Sequence, residues 1–307
     1  MTQKRPLAGR RTALLARAQI VQQIRKFFIE GGYLEVETPL RIPAPPPESH
    51  IDAVAADGWF LHTSPELCMK RLLAAGFDRV FQICRCWRSG ERGAFHLPEF
   101  TMLEWYRSET DYLELMDDCE ELVRSVVSGL GWNGRIAYRG RALDINGAWE
   151  RISVREAYRR FGGISMEQAM AEDCFDEVMV NAIEPMLGLD RPVFIYDYPA
   201  ERGALARLKN GDPSVAERFE LYIGGVEIAN AFSELIDADE QRARFVQEAS
   251  FRESAGKVPY PSPEKFLEEL SQMPPSAGIA LGVDRLVMVL LGKEAIDDIV
   301  AFTPEEL

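Results

Sequence analysis

The first part of the chain carries an apolar pattern that changes from helical to strand spacing. Between residues 12 and 30, apolar residues recur every three or four positions with arginine and glutamine on the other face, which predicts an amphipathic helix. Gly31 and Gly32 end this helix, and YLEVETPL then alternates as a short strand up to Pro39. A second helix is predicted over residues 64–76, where Ser, Pro and Glu precede an apolar stripe.

Two pairs of segments have the pattern of β-hairpins. VFQICRCWR and FTMLEWYR alternate as strands do, and a long, partly charged loop joins them. RFELYI and VEIANAF flank Gly224-Gly225, which is a strong signal for a tight two-residue turn. We therefore expect at least four antiparallel strands.

The remaining segments complete the predicted fold. VFIYDYP and GIALGV have strand patterns, and the second precedes an apolar helix that ends at Gly292. The periodicity of residues 111–187 predicts mainly helix. The fold class is therefore α+β, an antiparallel sheet flanked by helices, and we expect a single domain over residues 1–307.

Composition and charge restrict the possible functions. The chain has 307 residues, 47% of them hydrophobic, and a formal net charge of −14, which is the composition of a globular protein. No N-terminal apolar run resembles a secretory signal, no stretch approaches the roughly 18–20 apolar residues of a membrane span, and the five cysteines include no CxxC pair. These features predict a cytoplasmic protein with reduced thiols. The acidic total disfavours stable nucleic-acid binding and favours a basic protein or a cationic small molecule.

The first hairpin places a carboxylate among apolar residues. Period-2 geometry puts Glu104 on the same strand face as Phe100, Met102 and Tyr106. A buried carboxylate is costly unless it is paired. Either an arginine of the neighbouring strand, Arg85 or Arg88, or a ligand cation must neutralise Glu104.

The second hairpin brings two acids together. The tight turn pairs Tyr222 with Glu227 and leaves Glu220 diagonal to Glu227 on one face, where like charges repel. A Mg²⁺ ion between them resolves the conflict. The alternative is that this face is solvated and the other face is buried.

Strand parity makes a further prediction about the same hairpin. Asn230, Phe232 and Glu234 point away from Glu227 if the strand is regular. These three residues line one cavity with Glu220 and Glu227 only if a bulge or a strand end lies near Ala229, and we expect such an irregularity there.

Other candidate residues stand alone in the sequence. Arg285 lies in the first turn of the last predicted helix, where the macrodipole disfavours a cation. It either pairs with Asp284 or another acid, or it meets an anionic or aromatic ligand such as a nucleotide. His96 is either structural or a phosphate contact, and the Cys84/Cys86 pair is expected only to pack.

Three segments together resemble a known enzyme class. GYLEVETPL, FQICRCWRSGERGAFHLPEFTMLEWYR and GIALGVDRL are similar to motifs 1, 2 and 3 of the class II aminoacyl-tRNA synthetases. SPELCMKRLL and the Gly224-Gly225 hairpin resemble the lysyl branch. Only about 30 residues precede motif 1, which leaves no room for an anticodon-binding domain. This layout resembles the elongation factor P lysine ligase family.

The resemblance implies substrates, partners and roles. It implies that ATP activates lysine or (R)-β-lysine with the help of Mg²⁺, that the product is transferred to a lysine of elongation factor P, and that motif 1 forms a homodimer. Arg88 and Arg285 are the implied catalytic residues. The implied ATP-binding residues are Arg88, Glu91, His96, Phe100, Glu220, Glu227 and Arg285, of which Glu220 and Glu227 hold the metal. The implied amino-acid-binding residues are Glu66, Glu104, Tyr106, Asn230, Phe232, Glu234 and Ala280.

The chain departs from the pattern of the class at several positions. Gly90 stands where an acid is usual, so the neighbouring Glu91 is expected to take over the adenine contact. Leu97, Ala94 and Ala231 also differ from the class, and Ala280 replaces a glycine in a way that goes with a preference for (R)-β-lysine. Two other functions stay open: a truncated lysyl-tRNA synthetase acting on tRNA, and a non-catalytic amino-acid-binding paralogue.

Overall fold

A computed structural model describes residues 7–203 and 205–307. Residues 1–6 lie outside the described residues. They begin the N-terminal segment whose pattern is unlike a secretory signal. The strands are β1 Leu34–Glu35, β2 Arg41–Ile42, β3 Val54–Ala56, β4 Trp59–Leu61, β5 Arg79–Trp87, β6 Glu99–Ser108, β7 Arg135–Tyr138, β8 Arg141–Asp144, β9 Glu150–Ser153, β10 Val193–Pro199, β11 Leu208–Lys209, β12 Asp212–Ile223, β13 Val226–Ser233 and β14 Ser276–Gly282. The α-helices are α1 Arg11–Glu30, α2 Glu66–Ala74, α3 Tyr112–Gly129, α4 Val154–Ala157, α5 Met166–Ala171, α6 Phe175–Val178, α7 Ala238–Ser254, α8 Glu264–Leu270 and α9 Val283–Leu290.

A large, mostly antiparallel sheet organises the described chain. Its strand order is β1-β5-β6-β14-β13-β12-β10-β9, and β11 pairs with β12 at the side. The pairs β1–β5 and β9–β10 are parallel, whereas the strands between them are antiparallel. The predicted α+β class, with helices flanking an antiparallel sheet, is confirmed.

Both predicted hairpins and the first three predicted helices are present. Helix α1 buries Ile20, Ile24 and Phe28, which recur at i, i+4 and i+8, against the sheet. Strand β1 is shorter than the alternation predicts, because only Leu34 and Glu35 pair with β5 before the chain turns away toward Pro39. Among the described residues, no helix is long and apolar enough to cross a bilayer.

The prediction of mainly helix over residues 111–187 is wrong in its middle. Strands β7 and β8 form a small hairpin whose turn is Arg139-Gly140, with φ of 47° and 73°. Two consecutive residues with positive φ are typical of a type I′ hairpin turn. The segments RIAY and RALD are short four-residue strands, and a window long enough to detect helical period averages across both.

The register of the sheet aligns residues in rows across four strands. Leu103, Leu281, Ala229 and Leu221 are successive cross-strand neighbours and are nearly inaccessible to solvent. They belong to the apolar face, which packs against the core that α1, α3 and α9 share. Because side chains alternate along each strand, the residues one position away face the opposite side of the sheet. We call that opposite side the site face.

Candidate active site

Four of the expected site residues lie in one row across the site face. Glu104 pairs with Ala280, Ala280 with Asn230, and Asn230 with Glu220. Directly paired residues share a sheet face, so these four residues lie in line across β6, β14, β13 and β12. Strands are spaced about 4.8 Å apart, so the two glutamates at the ends of the row are separated by roughly 14 Å. These expected site residues therefore share one surface of the sheet. The two ends of that surface are separate sites.

The expected bulge is present in β13 and explains this alignment. The register steps from Leu221 opposite Ala229 to Tyr222 opposite Glu227, which leaves Ile228 as an extra residue. Ile228 and Ala229 are therefore both buried. Glu227 and Asn230 return to the same, more open face.

The first end of the surface is an acidic pocket formed by Glu66, Glu104 and Glu234, all of them buried. The Lys70 ammonium pairs with Glu66 Oε1 at 2.6 Å and also with Glu234. Phe232 lies beside it, with the Lys70 nitrogen 5.1 Å from the centre of its ring. Lys70 was not predicted, although its i,i+4 spacing from Glu66 on a helix is a signal that a sequence can give.

Glu104 is held by neutral donors rather than by a cation. Ser64 Oγ donates to Glu104 Oε1 at 2.6 Å, and the Tyr106 hydroxyl donates to Oε2 at 2.8 Å. The expectation that Arg85 or Arg88 pairs with Glu104 is wrong for Arg85, which pairs with Glu99 at 3.7 Å on the opposite face, and also for Arg88, which pairs with Glu91. A ligand cation at Glu104 stays a prediction, and burial also favours the protonated, uncharged form of this residue.

Burial controls the protonation of this pocket. Desolvation raises the pKa of Glu104 well above its usual range, and the nearby Glu66 adds to the shift. Desolvation raises the pKa of Glu234 to about 8, although Lys70 opposes the shift. Burial alone would lower the pKa of Lys70, but Glu234 and Glu66 raise it. The pocket favours added positive charge.

Glu234 carries a buried carboxylate oxygen, Oε1, for which the described part of the chain provides no hydrogen-bond partner. The same oxygen would lie 2.5 Å from a Cβ placed on Gly278, and the Tyr106 ring would also contact that Cβ. A side chain at position 278 would therefore fill the place where Tyr106 and Glu234 converge. An unsatisfied buried acceptor is expensive, which is consistent with a cationic ligand group at this point.

The second end of the surface is built around Arg285. Its guanidinium donates to the backbone oxygen and to the carboxylate of Glu227, both at 3.0 Å, and lies 2.5 Å from His96 Nε2. Arg285 thus pairs with Glu227 and not with Asp284, which accepts from the backbone nitrogen of Thr101 and pairs with Arg17. Burial and then Arg285 lower the pKa of His96. A neutral His96 here can accept a hydrogen bond from Arg285.

Arg88 follows β5 and lies next to this end. Its guanidinium carbon is 5.2 Å from the centre of the Phe100 ring, and Nη1 is 3.9 Å from Glu91 Oε2. Gly90 has a φ of +78°, a conformation that glycine adopts readily. The turn at Gly90 brings Glu91 back toward Arg88, and the expected contact of Glu91 with adenine stays a prediction.

Glu220 does not need a metal to offset its charge. Arg218 donates to one of its oxygens at 2.7 Å, and the hydroxyls of Tyr198 and Tyr222 donate to the other at 2.6 and 2.7 Å. Arg218 and Arg285 supply compensating charge to Glu220 and Glu227 from within the chain, and a metal ion between the two acids stays a prediction. The solvated-face alternative fails, since Glu220 is buried.

A third acid, Glu184, lies near Glu220 and Glu227 and was missed in the sequence. Burial raises the pKa of Glu184 to about 7, and the proximity of Glu220 and then Glu227 adds to the effect. The element that carries it is a short helical turn far from the hairpin in sequence. No local pattern indicates its approach.

The proline-rich loop before β3 connects the two ends. Burial raises the pKa of Glu48 to about 7, while nearby Arg88 lowers it and Glu66 raises it. Arg252 holds this loop, donating to the backbone oxygens of Glu48 and Ile51 at 2.8 and 2.9 Å. Glu48 is therefore close enough to interact electrostatically both with Glu66 in the acidic pocket and with Arg88 at the second end.

The raised pKa values predict how stability depends on pH. Folded Glu234 keeps its proton up to a pH of about 8, whereas the unfolded carboxyl loses it near pH 4.3. The folded state binds the extra proton between these values, so its stability falls as pH rises, by up to about 1.4 kcal/mol per pH unit. Urea unfolding of the wild type and of Glu234→Gln at pH 5, 6.5 and 8 tests this, and a wild-type advantage that grows with pH would contradict it.

Comparison with known proteins agrees with this geometry. A sequence model of the class II tRNA synthetases (D, K and N) matches residues 8–306, and the chain belongs to this family. Within it, the chain belongs with the elongation factor P–(R)-β-lysine ligases. The ligase of Pectobacterium atrosepticum is 40% identical over 309 residues, 95% of each chain. The ligases of Yersinia enterocolitica and Proteus mirabilis are each 40% identical over 306 residues, 94% of each chain.

Proposed function

We propose that this protein is an ATP-dependent ligase that activates lysine or (R)-β-lysine as an aminoacyl-adenylate and transfers it to a lysine side chain of elongation factor P. The similar curated proteins carry the name elongation factor P–(R)-β-lysine ligase. The observation that carries the proposal is the charge of the acidic pocket.

The acidic pocket selects a diamino acid by charge balance. Burial favours the protonated forms of Glu104 and Glu234 in the free protein, and a cationic ligand would favour their ionised forms. Once ionised, Glu66, Glu104 and Glu234 carry three negative charges together, and Lys70 supplies one positive charge. Two ammonium groups would neutralise the remainder, and lysine and β-lysine each carry two. In this proposal Glu66 receives the amino group nearer the reacting carboxylate, and Glu234 with Tyr106 receives the distal one. Asn230, Phe232 and Ala280 complete the wall.

The nucleotide binds at the other end of the row in this proposal. Phe100, His96, Glu91 and Arg285 surround the adenine and the phosphates, and Arg88 contacts both the substrate carboxylate and the α-phosphate. A carboxylate oxygen attacks phosphorus, pyrophosphate leaves, and Arg88 neutralises the charge that develops. The acceptor amine then attacks the acyl carbon, loses its proton, and displaces AMP.

Glu227 and Glu220 are proposed to hold Mg²⁺ together with the phosphates. Both offer the oxygen ligands that the ion prefers, and Mg²⁺ commonly takes only one or two carboxylates beside phosphate oxygens. Glu227 is the more available because its side chain is 37% exposed, whereas Glu220 is held by Arg218 and two tyrosines. The bound ion would offset phosphate charge.

The first helix and strand are proposed to form a homodimer interface. Leu15, Ile29 and Leu34 are 53%, 60% and 49% exposed on α1 and β1. Apolar side chains exposed along one edge favour association with a second copy. Sedimentation at micromolar concentration tests this, and a monomer would contradict it.

Mass spectrometry of elongation factor P tests the reaction directly. Incubation with the protein, ATP and either L-lysine or (R)-β-lysine should add one lysyl group to a single lysine. Omission of ATP is the control, and a parallel incubation with tRNA tests the other acceptor. Charging of tRNA without modification of elongation factor P would overturn the proposal. Absence of ATP–pyrophosphate exchange with both amino acids would instead favour a binding protein.

A further inference from the structure

Two cysteines lie on the site face between the two ends of the proposed active site. Cys84 and Cys86 alternate along β5, and their cross-strand neighbours are Met102 and Phe100. Gln82, the residue before them on this face, pairs with Glu104. The thiols therefore occupy the part of the sheet between the acidic pocket and Arg88. The sequence predicted only that they pack.

The two thiols are close together and chemically unequal. Their sulfur atoms are 3.9 Å apart. Cys86 is completely buried, whereas Cys84 is partly open. The hydrogen bond from Cys86 lowers the pKa of Cys84 to about 6 against the effect of burial, and His62 also lowers it. Burial raises the pKa of Cys86 well above its usual range. Cys84 is thus the nucleophilic thiolate, with a thiol next to it.

His62 makes a metal the weaker explanation for this cluster. Ligand atoms of His62, Cys84 and Cys86 all lie within 4.8 Å of one another, which is a spacing that metal ligands show. However, His62 Nε2 lies 2.7 Å from the backbone oxygen of Arg85. A carbonyl oxygen only accepts hydrogen bonds, so Nε2 carries the proton and has no lone pair for a metal. This same nitrogen is the one 3.9 Å from the Cys86 sulfur.

We propose that Cys84 and Cys86 form a peroxide-sensitive dithiol that switches off the proposed ligase reversibly. The Cys84 thiolate attacks one peroxide oxygen, the O–O bond breaks, and hydroxide leaves, which gives a sulfenic acid. The Cys86 sulfur then attacks the Cys84 sulfur, the S–O bond breaks, and water leaves with the Cys86 proton. The dithiol loses two electrons, which the peroxide receives.

The geometry of the strand allows this bond. Alternate residues of a strand have Cα atoms about 6.6–6.8 Å apart, which is at the upper limit of the range for disulfides. We therefore expect a bond that external thiols reduce readily. Closing it pulls the sulfur atoms together from 3.9 Å and displaces the strand between Gln82 and Arg88. A shift of about 1 Å at reacting groups can cost roughly 10²-fold in rate.

Peroxide treatment of the intact protein tests the proposal in two independent measurements. Peptide mapping should find a Cys84–Cys86 disulfide, and lysine-dependent ATP–pyrophosphate exchange should fall by roughly 10²-fold and recover with dithiothreitol. Cys84→Ser should resist inactivation. The Cys86→Ser variant should lose activity irreversibly, because the sulfenic acid formed on Cys84 then has no partner thiol and oxidises further. Cys174→Ser, a partly buried thiol in another core cluster, is the matched control and should behave as wild type.

Three results would overturn the proposal. They are oxidation of the other cysteines before Cys84, a mapped disulfide with unchanged exchange activity, and stoichiometric zinc or copper in the purified protein. The proposed loss of activity rests on the proposed function. Peptide mapping of the disulfide is independent of that function. If the reduced protein shows no exchange activity, the proposed function is wrong, and the mapping still decides whether the disulfide forms.

Discussion

Replacing Arg88 by lysine is expected to slow adenylate formation by about 10²- to 10³-fold, the usual cost of losing a group that stabilises transition-state charge. The planar guanidinium can bridge two anions and stack on an aromatic ring, and an ammonium cannot do both. In the structure Arg88 already lies 5.2 Å from the centre of the Phe100 ring and 3.9 Å from Glu91. Lysine-dependent ATP–pyrophosphate exchange measures the effect, which should appear in kcat more than in KM.

Arg85 offers a matched control on the same strand. It lies on the opposite face from the proposed site, is half exposed, and pairs with Glu99 at 3.7 Å. An exposed pair of this kind contributes little, so Arg85→Lys should keep both activity and stability. Equal losses in the two variants would indicate a general effect on the hairpin and would remove Arg88 from the proposed chemistry.

The hairpins could be predicted from sequence because their determinants are local. A tight turn at Gly224-Gly225 fixes Tyr222 opposite Glu227, and parity then requires a bulge if the polar residues are to share a face. The bulge at Ile228 confirms that argument. The requirement that polar residues share one face of a strand can therefore predict a bulge that strand propensity alone does not indicate.

The partners of the buried charges could not be predicted in the same way. The sequence shows that Glu104 and Glu220 need compensation, but Ser64 and Tyr198 come from other elements and are selected by the tertiary fold. Arg218 lies two residues from Glu220 on β12, so this pairing is local although it was not predicted. Lys70 is a different case. Its pairing with Glu66 is local, whereas its pairing with Glu234 joins residues far apart in sequence. Glu184 likewise approaches Glu220 and Glu227 only through the tertiary fold.

Replacing Glu234 by glutamine is expected to abolish selection for a charged amino acid. The change leaves a buried Lys70 with Glu66 as its remaining acidic partner and removes the carboxylate that carries the unsatisfied oxygen. In the complex with a cationic amino acid, which favours ionised Glu234, breaking such a buried charge pair costs about 3–5 kcal/mol, equivalent to roughly 10²- to 10³-fold or more in binding. We expect kcat/KM for lysine to fall by that factor. The preference for lysine over the uncharged analogue norleucine should disappear.

Glu217→Gln separates loss of selectivity from general damage. Glu217 is also buried and pairs with an arginine, Arg207, at 2.8 Å, but it is not among the residues of the acidic pocket. Its loss should lower stability without changing the ratio of lysine to norleucine in ATP–pyrophosphate exchange. If Glu234→Gln instead retains that ratio, the distal ammonium does not bind at Glu234. The charge balance of the pocket would then have to be explained by Lys70 and protonated carboxyls alone, since burial already holds the pKa of Glu234 at about 8.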